Sequence, residues 1–151
     1  MNILSIWNRL HALPGGKWLF SRILGKKIPY SGSMHALVEE LEVGHAKVSL
    51  SDKRRVRNHL RSIHAVALMN LCELTSGLAM VAGLPPTLRG ILVGFRIEYL
   101  KKARGKITGE ARCVIPTKVE RSEQTVVVEL KNIDGDTVCR GHATWLIGPS
   151  T

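Results

Sequence analysis

The sequence predicts an α+β fold in which an antiparallel sheet wraps around a single long, buried helix. Three observations carry this expectation. The run between about His64 and Gly83, HAVALMNLCELTSGLAMVAG, forms helix readily and is apolar nearly all round, as a helix with no solvent face must be. Strand-like text flanks it on both sides, as two segments before and four after. Strands grouped around one helix, instead of alternating with helices, favour an antiparallel sheet over repeated βαβ units.

Taken in order, residues 1–30 hold two apolar bursts, Ile3-Leu4-Ile6-Trp7-Leu10 and Trp18-Leu19-Phe20-Ile23-Leu24, split by Pro14-Gly15-Gly16. They read as two short helices forming an extension over residues 1–28. The second is expected to end at Gly25-Lys26-Lys27, where glycine tolerates a left-handed cap and the cations face the negative end of the helix dipole. From Met34 to Val56, Leu37, Leu41 and Val43 precede Gly44, and Ala46, Val48 and Leu50 follow it, as in a hairpin. After the helix and Pro85-Pro86, strands are expected over 91–100, 106–115, 125–130 and 137–147. Asp134-Gly135 supplies a tight turn between the last two.

The chain has 151 residues, of which 44% are hydrophobic and 23% charged, which suits one globular domain spanning 1–151. Cys72, Cys113 and Cys139 are too few, and too irregularly spaced, for a disulfide framework or a zinc site. Residues 1–16 lack the basic and apolar regions of a secretory signal, so a cytoplasmic location is expected. A membrane span is disfavoured because Asn70 and Glu73 fall inside the one long apolar run. The formal net charge of +10 calls for an anionic partner: a phosphorylated small molecule, a nucleic acid or a lipid surface. Only 5% of residues are aromatic and no RNA-binding motif occurs, which argues against nucleic acid. Trp7, Trp18 and Phe20 near Lys26-Lys27 leave a peripheral membrane contact through residues 1–28 open.

The segment Asn58-His59-Leu60-Arg61-Ser62-Ile63-His64-Ala65-Val66-Ala67-Leu68-Met69-Asn70-Leu71-Cys72-Glu73 resembles the signature of hotdog-fold thioesterases of the phenylacetate-degradation type. There an Asn, a Gly, His-Gly-Gly, a Leu and an Asp or Glu recur, and Asn58, His64, Leu71 and Glu73 fall in register. The wider chain, including Pro29-Tyr30 and Tyr99-Leu100-Lys101-Lys102-Ala103, is similar to a little-characterised branch of that superfamily. Arg61 stands where the pattern has a Gly, and Ala65-Val66 replace the Gly-Gly pair, which keeps the backbone N–H groups but narrows the approach to them. The resemblance implies a hotdog fold, an acyl-CoA-like substrate whose coenzyme A part belongs to the substrate, no separate cofactor, and a homodimer or a tetramer of two dimers. It places the catalytic group at Glu73, with His64 and Asn58, and the thioester carbonyl beside Ala65 and Val66.

The residues themselves give a compatible reading. Glu73, inside an apolar helix, is expected to have its pKa raised by desolvation, toward the range useful for a general base. A structural carboxylate hydrogen-bonded in the core is the competing reading. Asn70, Ser76 and Gly77 lie three or four residues from Glu73 and share its stripe; Ser76 and Gly77 make room either for a ligand or for close packing. His64 is nine positions before Glu73. At about 100° per residue this puts it on the opposite side of the helix, so the two do not meet within one chain. In the resembled family the site is shared across a dimer. Arg54, Arg55, Arg57 and Arg61, with Lys101 and Lys102, could bind the phosphates of coenzyme A. No metal-ligand spacing appears, nor the Asp-x4-His spacing of hotdog hydratases. Two functions stay open: acyl thioester hydrolysis, and binding of an acyl-CoA or acyl ligand without catalysis.

Overall fold

The computed structural model describes residues 2–117 and 120–150. Two helices, α1 (Ile3–Leu10) and α2 (Gly16–Lys27), lead into a single-turn helix α3 (Pro29–Gly32). Strands β1 (Leu37–Glu42) and β2 (His45–Leu50) form the expected hairpin. A 3-10 turn (Arg54–Val56) precedes the long helix α4 (Ala65–Val81), and β3 (Leu88–Tyr99), β4 (Ile107–Arg112), β5 (Ser122–Lys131) and β6 (Thr137–Pro149) complete the chain. All six strands join one antiparallel sheet in the order β1-β2-β4-β5-β6-β3. The sheet wraps around α4, which packs against every strand, and this is the hotdog architecture expected from the sequence.

Alternation decides which faces are buried. In β5 the side chains of Val126, Val128 and Leu130 turn inward, and in β6 those of Cys139, Ala143, Trp145 and Ile147 do the same. They meet Leu68, Leu71, Leu78 and Ala79 of α4 in one core. Burying each large side chain contributes roughly 1.5–3 kcal/mol. The helix sits close because the strands opposite it carry glycines. A Cβ on Gly141 of β6 would lie 2.8 Å from Cys72 Cβ, and one on Gly109 of β4 would lie 3.1 Å from Thr75 Oγ1.

The two edges of the sheet differ. At β1 the chain covers its own edge: α2 packs against the strand and Val38 N–H donates to Ser21 Oγ at 2.9 Å. The β3 edge is 12 residues long, with Ile91 and Val93 half exposed, and among the described residues nothing pairs with its outer side.

Three details depart from expectation. Helix α2 runs through Gly25 to Lys27, and Gly25 serves close packing rather than a left-handed cap: a Cβ there would lie 3.0 Å from Gly32 Cα. The helical extension continues beyond residue 28 because Pro29, with its φ preset, starts α3. Val43, expected on a strand, lies in the β1–β2 turn and is exposed.

Candidate functional site

The loop before α4 is built around Asn58. Its Oδ1 accepts from the N–H groups of Leu60 (2.9 Å) and Ser62 (3.1 Å), and its own N–H donates to Ser62 C=O at 2.8 Å. Asn58 therefore acts as a turn anchor here. Within this loop Arg61 adopts φ +57°, the left-handed region. That explains the glycine of the resembled pattern: the position requires a conformation in which any Cβ costs about 1–2 kcal/mol.

His64 is the N-cap of α4. Its Nδ1 accepts from Val66 N–H at 3.1 Å, which requires Nδ1 to be unprotonated, while its backbone N–H donates to Val56 C=O at 2.7 Å. Ala65 and Val66 are exposed, and among the described residues the N–H groups of Ala65 and Ala67 donate to nothing. A helix start with free N–H groups and the positive end of the dipole suits a developing oxyanion. The hydroxyl of Tyr99, at the end of β3, donates to Ala65 C=O at 2.9 Å and fixes the helix start to the sheet.

Helix α4 is buried except along one stripe, where Val66, Met69, Glu73, Gly77 and Val81 follow one another at three- and four-residue spacing. Val66, Met69 and Val81 are all exposed, so Glu73 is the single charge in an apolar strip. Its carboxylate is partly buried and has no hydrogen-bond or ion-pair partner among the described residues, and burial pushes its pKa above the ordinary glutamate value. A structural carboxylate satisfied in the core is not what this geometry displays.

The neighbours on that stripe divide. Asn70 turns inward and accepts from Ser31 Oγ at 2.8 Å, tying α4 to α3. Ser76 is fully buried; its hydroxyl donates to Glu73 C=O at 2.9 Å and accepts from the Trp145 indole N–H at 3.2 Å. Gly77 faces the same ring, where a Cβ would lie 3.2 Å from two Trp145 carbons. Both are thus engaged in packing α4 onto β6. Cys72, beside Glu73, is buried, and its thiol pKa is pushed up by a hydrogen bond with Cys139 and by burial, which makes it a poor nucleophile.

A cavity of about 380 Å³ brings together His64, Val66, Asn70, Arg55 and Arg57, with Tyr30 of α3 on its rim. Ile63 N–H donates to Ala103 C=O at 2.8 Å, which lays the segment carrying Lys101 and Lys102 alongside the loop carrying Arg61. The cations are not equivalent. Arg57 is bound to Asp52 at 2.6 Å, holding that carboxyl below its usual pKa range, and Lys101 pairs with Asp136 at 3.1 Å. Arg55 is engaged with His35. Arg54, Arg61 and Lys102 have no acidic partner among the described residues. The sequence assigned no site role to Met69, Val81, Tyr99 or Tyr30; the exposure of Met69 and Val81 was hidden because a buried helix and a one-stripe helix look alike when both are apolar.

Comparison with known proteins agrees with this architecture. No curated protein matches the chain. Among solved structures, a crystal structure of a genomics target superposes with a TM-score of 0.84 at 28% identity, covering 98% of this chain and 99% of that one. A Pseudomonas aeruginosa protein of unknown function named a probable thioesterase superposes at 0.80 with 22% identity, over 91% and 97%. A hypothetical thioesterase from Streptococcus pneumoniae TIGR4, crystallised with coenzyme A, superposes at 0.69 with 23% identity, over 84% and 99%. Among the described residues no helix is long and apolar enough to cross a membrane. The family model described as "Domain of unknown function (DUF4442)" matches residues 16–147, and the chain, which has the hotdog fold of these structures, belongs to that family.

Proposed function

We propose that this protein is an acyl-CoA thioesterase working as a homodimer, with Glu73 as its catalytic carboxylate. The observation that carries the reading is Glu73 itself: a partly buried, unpaired carboxylate with a raised pKa, alone in an apolar strip. Such a group is costly to keep unless it is used. Structural neighbours named as thioesterases, one with coenzyme A bound, support the substrate class.

In the proposed reaction Glu73 removes a proton from water as the water oxygen attacks the thioester carbonyl. The tetrahedral oxyanion is held by the N–H groups at the start of α4 that have no acceptor among the described residues, at Ala65 and Ala67, beside Val66, whose own N–H is taken by His64 Nδ1; His64 and Asn58 fix the shape of that start. Collapse breaks the C–S bond, and the proton held by Glu73 passes to the departing thiolate, leaving a carboxylic acid and free coenzyme A. Arg54, Arg61 and Lys102, which lack acidic partners among the described residues, are the cations assigned to the coenzyme phosphates; Arg57 and Lys101 hold loops through Asp52 and Asp136.

The exposed β3 edge and the apolar stripe of α4 support the dimer, since a second copy would cover both by two-fold pairing. The three unpaired cysteines suit a reducing cytoplasm. The test is turnover of short, medium, long and aromatic acyl-CoAs, with binding of the same compounds measured beside it. Saturable release of free thiol supports hydrolysis; tight binding without release selects the alternative, a non-catalytic acyl-CoA carrier. A light-scattering mass of one chain at micromolar concentration would remove the dimer and the shared site with it.

A further inference from the structure

A second cavity, of about 420 Å³, lies between α2, α3 and β1, away from the exposed stripe of α4. Its size falls in the range of small-molecule pockets, roughly 300–1,000 Å³. Leu24, Val38 and Leu74 supply buried apolar lining, and Trp18 stands at the mouth, 61% exposed. The wall is tight because α2 and α3 cross through Gly25 and Gly32: a Cβ on Gly32 would run into the Gly25 carbonyl oxygen.

The mouth is cationic. Arg22 Nη1 lies 3.1 Å from His35 Nδ1, and Arg55 Nη1 lies 2.8 Å from the same nitrogen. Arg55 Nη1 also lies 3.0 Å from His35 Nε2, so two exposed guanidinium groups crowd one neutral imidazole, which offers a single acceptor nitrogen. His35 must be neutral to accept at all, and burial together with Arg55 and Arg22 pushes its pKa down. Lys26 lines the same cavity, and none of its described lining residues is acidic. The charge is regional: residues 1–38 contain five Lys or Arg and no Asp or Glu. His35 is moreover held at φ +56°, a left-handed conformation that costs a non-glycine residue about 1–2 kcal/mol. Strain that places an imidazole between two arginines, with no carboxylate paired to either among the described residues, suits the binding of an anion there.

We propose that this cavity is a binding site for a single-chain anionic amphiphile, its carboxylate or phosphate head held by Arg22, His35 and Arg55 and its aliphatic tail in the space lined by Leu24, Val38 and Leu74. The cavity is distinct from the one that holds His64 and Val66, which Arg55 also lines from the far side of His35, and the proposal does not depend on the hydrolytic reading. Dodecanoate and dodecyl phosphate, both kept below micelle-forming concentrations, are titrated against the full-length protein. The readouts are calorimetry and the emission of Trp18, since Trp7 and Trp145 are buried. One-to-one binding with a blue shift of the emission is expected, lost in Trp18→Phe as a signal but retained in heat. Arg22→Gln, an exposed substitution, should weaken binding roughly tenfold or more while acyl-CoA turnover is unchanged. Comparing the two ligands tells which head group is preferred. Equal binding of dodecyltrimethylammonium, undiminished affinity in Arg22→Gln, or association only with anionic vesicles and not with the monomeric ligands would each overturn the proposal; the last would reassign the basic N-terminal region to a membrane surface.

Discussion

Replacing Glu73 by glutamine keeps the size and hydrogen-bonding capacity of the side chain while removing its charge and basicity. If Glu73 is the general base, turnover should fall by roughly 10²-fold or more, within the range of general acid–base contributions. At about 1.4 kcal/mol per factor of ten, this is a loss of about 3 kcal/mol of transition-state stabilisation. Stability should move the other way. Burial raises the pKa of Glu73, so between the unfolded value of 4.5 and the higher folded value the native state binds more protons than the unfolded chain. Stability in that window therefore falls as pH rises, and above the folded pKa the full penalty of an unpaired carboxylate persists. Glu73→Gln removes the penalty and the pH dependence together: urea midpoints at pH 7 should equal or exceed those of the parent, and this component of the acid-side slope should vanish. Glu73→Asp, which keeps a base but withdraws it by one methylene, should be intermediate in turnover. A Gln variant that unfolds, or a folded one retaining full specific activity, would make Glu73 structural and sink the catalytic reading.

Two further substitutions test the physical account of the frame around the site. Arg61→Gly should raise stability in urea by about 1 kcal/mol because the position is left-handed, whereas Arg61→Ala, which keeps the Cβ, should not; equal effects would place the cost in the guanidinium rather than the backbone. Gly141→Ala should lower stability by about 1–3 kcal/mol, since its Cβ would meet Cys72 Cβ at 2.8 Å in a core with no room to yield, and a neutral result would mean that α4 can shift off β6.

The fold was legible because period and composition agreed everywhere outside the N-terminal region. Continuous apolarity marked α4, and alternation marked β1, β2, β5 and β6. The register of Asn58, His64, Leu71 and Glu73 led to the loop and helix now seen. What the sequence hid were long-range partnerships. Nothing local distinguishes Arg57, bound to Asp52, from Arg54, which has no acidic partner among the described residues. Nor does the text reveal that Ser76 is spent on Trp145, 69 residues away, or that Gly25 faces Gly32 rather than ending a helix. The convergence of Arg22, His35 and Arg55 joins three separate segments and leaves no periodic trace.

Nine residues of α-helix rise about 13 Å, so the Glu73 of one chain cannot serve a carbonyl held at the start of its own α4. If two α4 helices pair antiparallel about a two-fold axis, each Glu73 comes beside the other chain's helix start, and the apolar residues Val66, Met69 and Val81 line the space between them. This can be tested by complementation. Ala65→Pro removes one free N–H at a first-turn position that tolerates proline, and His64, at φ −63° and ψ 141°, already has the extended conformation required before it. Mixed after refolding with Glu73→Gln, it should form heterodimers carrying one intact site, made of the unaltered Glu73 from one chain and the unaltered helix start from the other. Random pairing makes about half the dimers mixed, each with one working site of two, so activity should recover to about a quarter of the parent although each variant alone is nearly inactive. Recovery no greater than the sum of the two variants, with exchange of subunits verified by mass, would place the whole site within one chain and leave the helix start without its proposed role.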